Sequence, residues 1–355
     1  MTIFNDFEKL QVVAPNFKRR LSGVTSTIIQ LVPVQNATGI TIATIGPGLP
    51  NHLPKIRYRD LWKLWKKPNS GKNRIWHARR NTEMLAGVIM RDVLRMPVKL
   101  VFTSASQRQH TGYTKWLIRR MDGVIATSAK TAAYLKVPHQ IIMHGIDTDR
   151  FSEVDDKSKL KAELGLPIAQ KLIGCFGRIR HQKGTDLFID TMISILPNAP
   201  DWSAIIAGNI TSQHTAFANE LKGRIHNSGL SDRIIFVGEH TDIHRWYQAL
   251  DVFVAPQRWE GFGLTPLEAM ACGVPVIGTD VGAFSSLLKD APYSALTSET
   301  DMENDVFQLM TNIESANQEH AAIRRHVTDN FSLDKETANL NAFYQSIENF
   351  TYPYI

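Results

Sequence analysis

Residues 252–277 decide the fold: Val252-Phe253-Val254-Ala255-Pro256-Gln257-Arg258-Trp259-Glu260-Gly261-Phe262-Gly263-Leu264-Thr265-Pro266-Leu267-Glu268-Ala269-Met270-Ala271-Cys272-Gly273-Val274-Pro275-Val276-Ile277. The apolar runs at 252–254 and 275–277 predict two buried strands, with a glycine-rich loop and a helix between them. Thr265 fits an N-cap, Pro266 the first helical position, and Glu268 completes a Thr-x-x-Glu capping box. A capping box is a purely structural account of Glu268, and it leaves Gly261 and Gly263 unexplained. Two glycines let a backbone approach a ligand closely, and a helix start offers unpaired amides to an anion. A diphosphate suits that place. Glu260 and Glu268 would flank it and accept hydrogen bonds from pairs of sugar hydroxyls.

Working outward, both halves of the chain alternate short apolar runs with stretches long enough for helices. Strands are expected at 12–14, 40–43, 75–77, 100–102, 124–126 and 141–143 in the first half. The second half offers 172–175, 204–207, 234–237, 252–254 and 275–277. Such alternation predicts an α/β protein with parallel sheets covered on both faces, here two Rossmann-like domains facing across a cleft. The boundary is expected between Asp149 and Lys171, giving a basic first domain over 1–155, a second over 156–332, and a terminal helix and tail over 333–355 that return to the first. Ligands of open α/β sheets bind beyond the carboxyl ends of the strands, so the cleft is the expected site.

The 355 residues are 43% hydrophobic and 21% charged, which excludes a fibre or a disordered tail protein. No run approaches the ~20 apolar residues of a membrane span. The opening Met1-Thr2-Ile3-Phe4-Asn5-Asp6-Phe7-Glu8-Lys9 lacks the pattern of a signal peptide, and Cys175 and Cys272 lie among apolar or small neighbours. A cytoplasmic protein with reduced thiols is expected. Charge is divided unevenly: Lys and Arg number 24 against 8 Asp and Glu over 1–150, and 16 against 26 over the remainder. The basic half therefore faces something anionic: nucleic acid, an acidic lipid surface or a phosphorylated substrate.

The two glutamates around Gly-Phe-Gly-Leu, followed by Glu-Ala-Met-Ala-x-Gly-x-Pro-Val-Ile, resemble the nucleotide-sugar site of the group-one retaining glycosyltransferases of GT-B fold. Gly177-Arg178-Ile179-Arg180-His181-Gln182-Lys183-Gly184 resembles that family's diphosphate clamp. Met143-His144-Gly145-Ile146-Asp147-Thr148-Asp149-Arg150-Phe151 resembles its hinge signature, with His144 where an Asn is usual, and Phe236-Val237-Gly238-Glu239-His240 its nucleobase turn. The resemblance implies that Arg178 and Lys183 neutralise the leaving diphosphate and that Glu260 lies against the donor hexose. It also implies that Glu268 holds the ribose diol. Gly177, Gly238, Glu239, His240, Gly261, Phe262, Gly263, Leu264 and Thr265 would line the donor, together with Gly23 of the first half.

Segments 12–27 and 76–81 further resemble the lipopolysaccharide core mannosyltransferases of α-proteobacteria. That implies mannose from GDP-mannose as donor and a Kdo-containing lipid A core as acceptor, with no metal or other cofactor. His77, Arg79 and Arg80 at a strand end, and His110 beyond the next strand, are candidate acceptor contacts. Asp147-Thr148-Asp149 invites a metal reading, but it lies in the hinge signature, and Arg178 with Lys183 already supplies positive charge. Residues 57–67 predict an amphipathic helix with Leu61, Trp62, Leu64 and Trp65 on one face. With the basic domain around it, this points to peripheral attachment to the cytoplasmic face of an acidic inner membrane. Two other readings compete: a nucleotide-sugar 2-epimerase of similar twin-Rossmann fold, and a non-enzymatic nucleic-acid or membrane binder. The paired glutamates and the Gly-Arg…Lys-Gly segment disfavour both, so no nucleic-acid partner is expected.

Overall fold

The computed structural model describes residues 3–19 and 23–349. They form two compact units, one of Met1–Gly145 with Leu333–Ile355 and the other of Ile146–Ser332. The first unit thus ends at Gly145, ten residues before the boundary drawn from the polar run at 155–159. Residues 20–22, just before Gly23, lie outside the described residues, as does the tail beyond 349.

The first unit is built on β1 (Val12–Pro15), β2 (Ile42–Ile45), β3 (Arg74–Ala78), β4 (Val98–Ser104), β5 (Gly123–Ala126) and β6 (Gln140–Ile141). All pairs are parallel, in the order β2-β1-β3-β4-β5-β6. Strand order reverses between β1 and β3, which makes the carboxyl ends of those strands a topological switch point. Strands β1 to β5 are buried along nearly their whole length, because helices cover both faces, whereas the short edge strand β6 is exposed. The terminal helix Leu333–Asn349 belongs to this unit, and Leu340, Phe343, Tyr344 and Ile347 pack with Val12, Ile28 and Ile125.

The second unit contains β7 (Lys171–Phe176), β8 (Trp202–Ala207), β9 (Ile234–Gly238), β10 (Val252–Ala255), β11 (Val276–Thr279) and β12 (Ala295–Thr297). Its parallel order is β12-β11-β10-β7-β8-β9, so the switch point lies between β7 and β10. Both expected α/β sheets are present. The short β12 was not anticipated, because Ala295-Leu296-Thr297 carries too little apolar signal to stand out.

The segment predicted as an amphipathic helix is a 3-10 helix, Tyr58–Trp65. With about three residues per turn, Leu61 and Leu64 form one ridge and Trp62 and Trp65 the next. Leu64 is buried and Leu61 packs against the core, whereas Trp62 and Trp65 are 62% and 48% exposed. The four side chains therefore do not share one face. Arg74, fully buried, fixes this segment by donating to the carbonyls of Leu64 (3.3 Å), Lys66 and Phe7 (2.6 Å).

Candidate functional site

In the second unit the residues singled out from sequence gather at the carboxyl ends of β7, β9 and β10. Gly177 follows β7 with φ +148°, and the next turn brings Lys183 to an ion pair with Glu260, which lies beyond β10. The other Glu260 oxygen accepts from its neighbour's amide, Gly261 N (2.9 Å). Both charges are mostly shielded from water and hold each other in place. Arg178 is exposed and makes no ion pair among the described residues.

Two glycines here are required by geometry. At Gly184 (φ +69°) a Cβ would lie 1.8 Å from the Pro256 carbonyl oxygen, so β7's turn can pack against the β10 loop only without a side chain. At Gly263 (φ +93°) a Cβ would lie 2.3 Å from the Phe284 ring, which is buried beneath the loop.

The capping box is not formed. Leu264 occupies the N-cap position of the helix Thr265–Ala271, no side chain caps it, and Pro266 stands in its first turn. The Glu268 carboxylate instead accepts from the Tyr247 hydroxyl (2.7 Å). Its second oxygen has no hydrogen bond among the described residues. Burial raises the Glu268 pKa, opposed by the Tyr247 bond and by Arg150 and Lys183, and burial beside this carboxylate pushes Tyr247 well above its ordinary value. Glu268 is thus a partly desolvated acceptor with one oxygen open.

At the end of β9, Gly238 takes φ +84°, and Glu239 accepts from Asn209 Nδ2 (2.5 Å). His240 bonds the Val237 carbonyl (2.7 Å) and stacks on Trp246 with ring centroids 4.1 Å apart. Asp147 is a turn residue, its carboxylate accepting from the amides of Asp149 (3.2 Å) and Arg150 (2.9 Å).

In the first unit the four candidates separate. His77 is 1% exposed, and its ring nitrogens meet the Tyr344 hydroxyl and Thr103 Oγ1, each at 2.6 Å. No ring nitrogen is left for a ligand in this arrangement. Burial, reinforced by Arg79 and His144, drives the His77 pKa far below its ordinary value, so the ring is neutral. Arg80 bonds the buried Glu83 (2.8 Å), Asn16 (2.8 Å) and Thr25 (3.1 Å), which makes it a tie between β1 and β3. Arg79, Arg80 and His110 line one pocket, which leaves His77 apart from them. Gly23 begins a helix with open space around it. Glu336 of the terminal helix accepts from His144 Nδ1 (2.9 Å) and Gly145 N (2.7 Å), bracing the end of the unit.

The family described as glycosyl transferases group 1 matches residues 156–325. The lipopolysaccharide core biosynthesis mannosyltransferase LpsB of Rhizobium meliloti is 56% identical over 347 residues, covering 96% of this chain and 99% of that protein. The LpcC mannosyltransferase of Rhizobium leguminosarum bv. viciae is 49% identical over the same length, covering 96% and 98%. The chain belongs to the group 1 glycosyltransferases. Its fold is GT-B: the structure of Anabaena Alr3699/HepE in complex with UDP matches with a TM-score of 0.80 at 18% identity, covering 95% of this chain and all of that one.

In this glycosyltransferase the second-unit cluster can do two things chemically. A lysine, an arginine and loop amides are groups that would meet an anion, and an open carboxylate oxygen is one that would accept from hydroxyls. Sequence reasoning missed Tyr247 and Asn209, which lie on other elements and carry no motif of their own. It also missed Lys18, Ser104 and Arg108 of the first-unit pocket, which become neighbours only when β1, β3 and β4 align.

Proposed function

We propose that this glycosyltransferase is a retaining mannosyltransferase that moves mannose from GDP-mannose to a Kdo-containing lipopolysaccharide core acceptor. The observation that carries this reading is the near full-length identity to LpsB of Rhizobium meliloti. In this reading Arg178 and Lys183 neutralise the departing diphosphate, Glu260 orients Lys183 and lies against the hexose, and Glu268 accepts from the ribose hydroxyls. Gly177, Gly238, Glu239, His240 and the loop Gly261–Thr265 line the donor.

The bond from the anomeric carbon to the diphosphate breaks and a glycosidic bond to the acceptor hydroxyl forms on the same face. The hydroxyl proton passes to the departing phosphate oxygen, so no protein nucleophile takes part. Charge grows on the diphosphate as the bond breaks, so fixed cations stabilise the transition state more than the ground state.

The same reading places the enzyme at the cytoplasmic face of the inner membrane. Trp62 and Trp65 stand exposed beside Lys63, Lys66 and Lys67, and Trp65 Nε1 bonds the Leu94 carbonyl (2.7 Å), which joins them to exposed Val93 and Leu94. Tryptophan with lysine suits an anionic headgroup layer. Pelleting with anionic vesicles at low salt is expected, and Trp62→Ala with Trp65→Ala should abolish most of it. Vesicles that leave the wild-type protein in solution refute the attachment.

The test of the donor is thermal stability with GDP, UDP or ADP. A nucleotide at a hundred times its dissociation constant adds about 2.7 kcal/mol. Selective stabilisation by GDP supports GDP-mannose, and a preference for UDP or ADP replaces it. Transfer of mannose from GDP-mannose to a Kdo-bearing lipid, with retained configuration by NMR, tests the reaction. Epimerised nucleotide-sugar as the product would favour an isomerase instead.

A further inference from the structure

Exposed apolar side chains of the first unit lie on three segments far apart in the sequence. Trp62 and Trp65 belong to the 3-10 helix, Val93 and Leu94 to the end of the turn Ile89–Val93, and Tyr113 and Trp116 to the helix Gly112–Ile118. Contacts join the three into one surface. Trp65 donates to the Leu94 carbonyl, and Asp92, next to Val93, accepts from Arg120 (2.9 Å). The Arg120 guanidinium lies 4.6 Å from the centre of the Trp116 ring, and Tyr113 stacks beside that ring with centroids 6.3 Å apart. A contiguous patch of this kind marks a surface that meets something less polar than water.

Beside the helix Gly112–Ile118 opens a pocket of about 220 Å³. Ile118, Leu135 and Val137 form its apolar wall, and Lys115, Arg119 and Lys136 are its charged groups. Lys115 and Arg119, four residues apart, share one face of that helix. No aspartate or glutamate lines the pocket, and none of the three cations makes an ion pair or a side-chain hydrogen bond among the described residues. His110 closes one side, where its Nε2 is buried and has no hydrogen-bond partner. Charges of one sign in a small pocket raise the local concentration of the opposite ion. The apolar wall narrows the choice. It suits an anion joined to hydrocarbon, and free phosphate would gain nothing from Leu135 and Val137.

We propose that this pocket binds the phosphate of one anionic membrane phospholipid. Lys115, Arg119 and Lys136 hold the phosphate, Leu135 and Val137 meet the start of the lipid's apolar part, and the surrounding exposed face enters the headgroup layer. The inference rests on the membrane attachment read above and deepens it, because it replaces a general attraction between a basic domain and an acidic surface with a defined lipid site.

Short-chain dihexanoyl phosphatidylglycerol, dihexanoyl phosphatidylcholine and inorganic phosphate are titrated separately into the full chain, each lipid below its micelle concentration. The anionic lipid is expected to bind at least tenfold more tightly than either of the others. Arg119→Gln with Lys136→Gln should weaken it at least tenfold and more than halve pelleting with vesicles of phosphatidylcholine and phosphatidylglycerol in equal parts. Lys159→Gln with Lys289→Gln removes the same charge from exposed positions of the second unit and should change neither result. All four side chains are exposed, so both double variants should melt with the wild type. Trp62→Ala with Trp65→Ala, outside the pocket, should reduce pelleting and leave the short-chain affinity unchanged.

Equal losses in the two charge-removing variants overturn the site, since only net charge would then count. Inorganic phosphate bound as tightly as the anionic lipid, or the two lipids bound equally, overturns the phospholipid assignment. Pelleting of the Arg119→Gln, Lys136→Gln variant at the wild-type level removes the site and leaves the attachment standing. Short-chain anionic lipid bound by a wild-type protein that fails to pellet would instead refute the attachment and leave the site standing.

Discussion

The two units carry their charges differently. In the second, Lys183 is paired with Glu260, and Glu268 is held by Tyr247. In the first, the pocket at the ends of β1, β3 and β4 is lined by Lys18, Arg79, Arg80 and Arg108, of which Arg80 is paired with Glu83. A site whose charges are already paired is pre-organised, and a ligand exchanges one partner for another at little reorganisation cost. A site lined by cations draws a counter-ion, and its affinity falls with salt. The contrast separates a proposed catalytic centre from a pocket lined by cations, and each member can be broken alone.

The largest effect is expected in the paired site. Lys183→Ala and Glu260→Ala should each lower kcat about 10²–10³-fold, roughly 2.7–4 kcal/mol of transition-state stabilisation. The double variant should lose little more than either single one, because each change alone leaves the partner unpaired. Near-normal rates in both single variants would show that the pair is only structural.

Next comes a contrast between glycines. Gly263→Ala combines a positive φ with a Cβ driven into the Phe284 ring, so a loss of about 1–3 kcal/mol and several degrees of melting temperature is expected. Gly23→Ala meets open space and begins a helix, and should be neutral or slightly stabilising. Equal melting temperatures for the two variants would mean that the Gly263 loop relaxes freely.

Smaller again is Tyr247→Phe. It removes the hydroxyl that holds Glu268 and lets burial raise that carboxyl further. A hydrogen bond to a charged group contributes about 1.5–3 kcal/mol, so binding of the nucleoside diphosphate should weaken roughly tenfold or more. The weakening should grow as pH falls, because a protonated Glu268 accepts poorly from a diol. Unchanged binding by calorimetry would remove Glu268 from the site.

The second unit was legible because its candidate residues sit in short runs after strands, where glycines and acids stand out against apolar neighbours. The first unit was legible as a sheet, since buried parallel strands read as apolar runs, but its pocket only in part: Arg79, Arg80 and His110 were singled out, and Lys18, Ser104 and Arg108 were not. Lys18, Arg79, Ser104 and Arg108 come from three strand ends and share no motif. A list of bases in a basic half also cannot tell Arg80, which bonds Glu83, from Arg79, which donates to the His77 carbonyl. Even in the legible region the capping box failed, because the backbone at Leu264 already turns helical and frees Glu268 for Tyr247. The tryptophans of 57–67 were misplaced for a related reason: a 3-10 period divides what a 3.6 period would gather.

The smallest effect concerns His77, which the sequence offered as a ligand contact and the fold uses as packing. Its folded pKa lies well below the ordinary histidine value, because burial disfavours the charged ring and Arg79 and His144 add repulsion. The unfolded chain takes up a proton below about pH 6.5, whereas the folded chain resists it. The stability that His77 contributes is therefore present above that pH and is lost as pH falls toward the folded pKa. The slope for one proton is at most about 1.36 kcal/mol per pH unit. His77→Gln keeps a polar ring-sized group between Tyr344 and Thr103 without the titration. Its denaturation midpoint should be lower at pH 7 but fall less steeply between pH 6.5 and 5 than that of the wild type. Parallel pH profiles for the two proteins would mean that the ring can be protonated in place, with the Tyr344 and Thr103 hydroxyls both turning to accept from it.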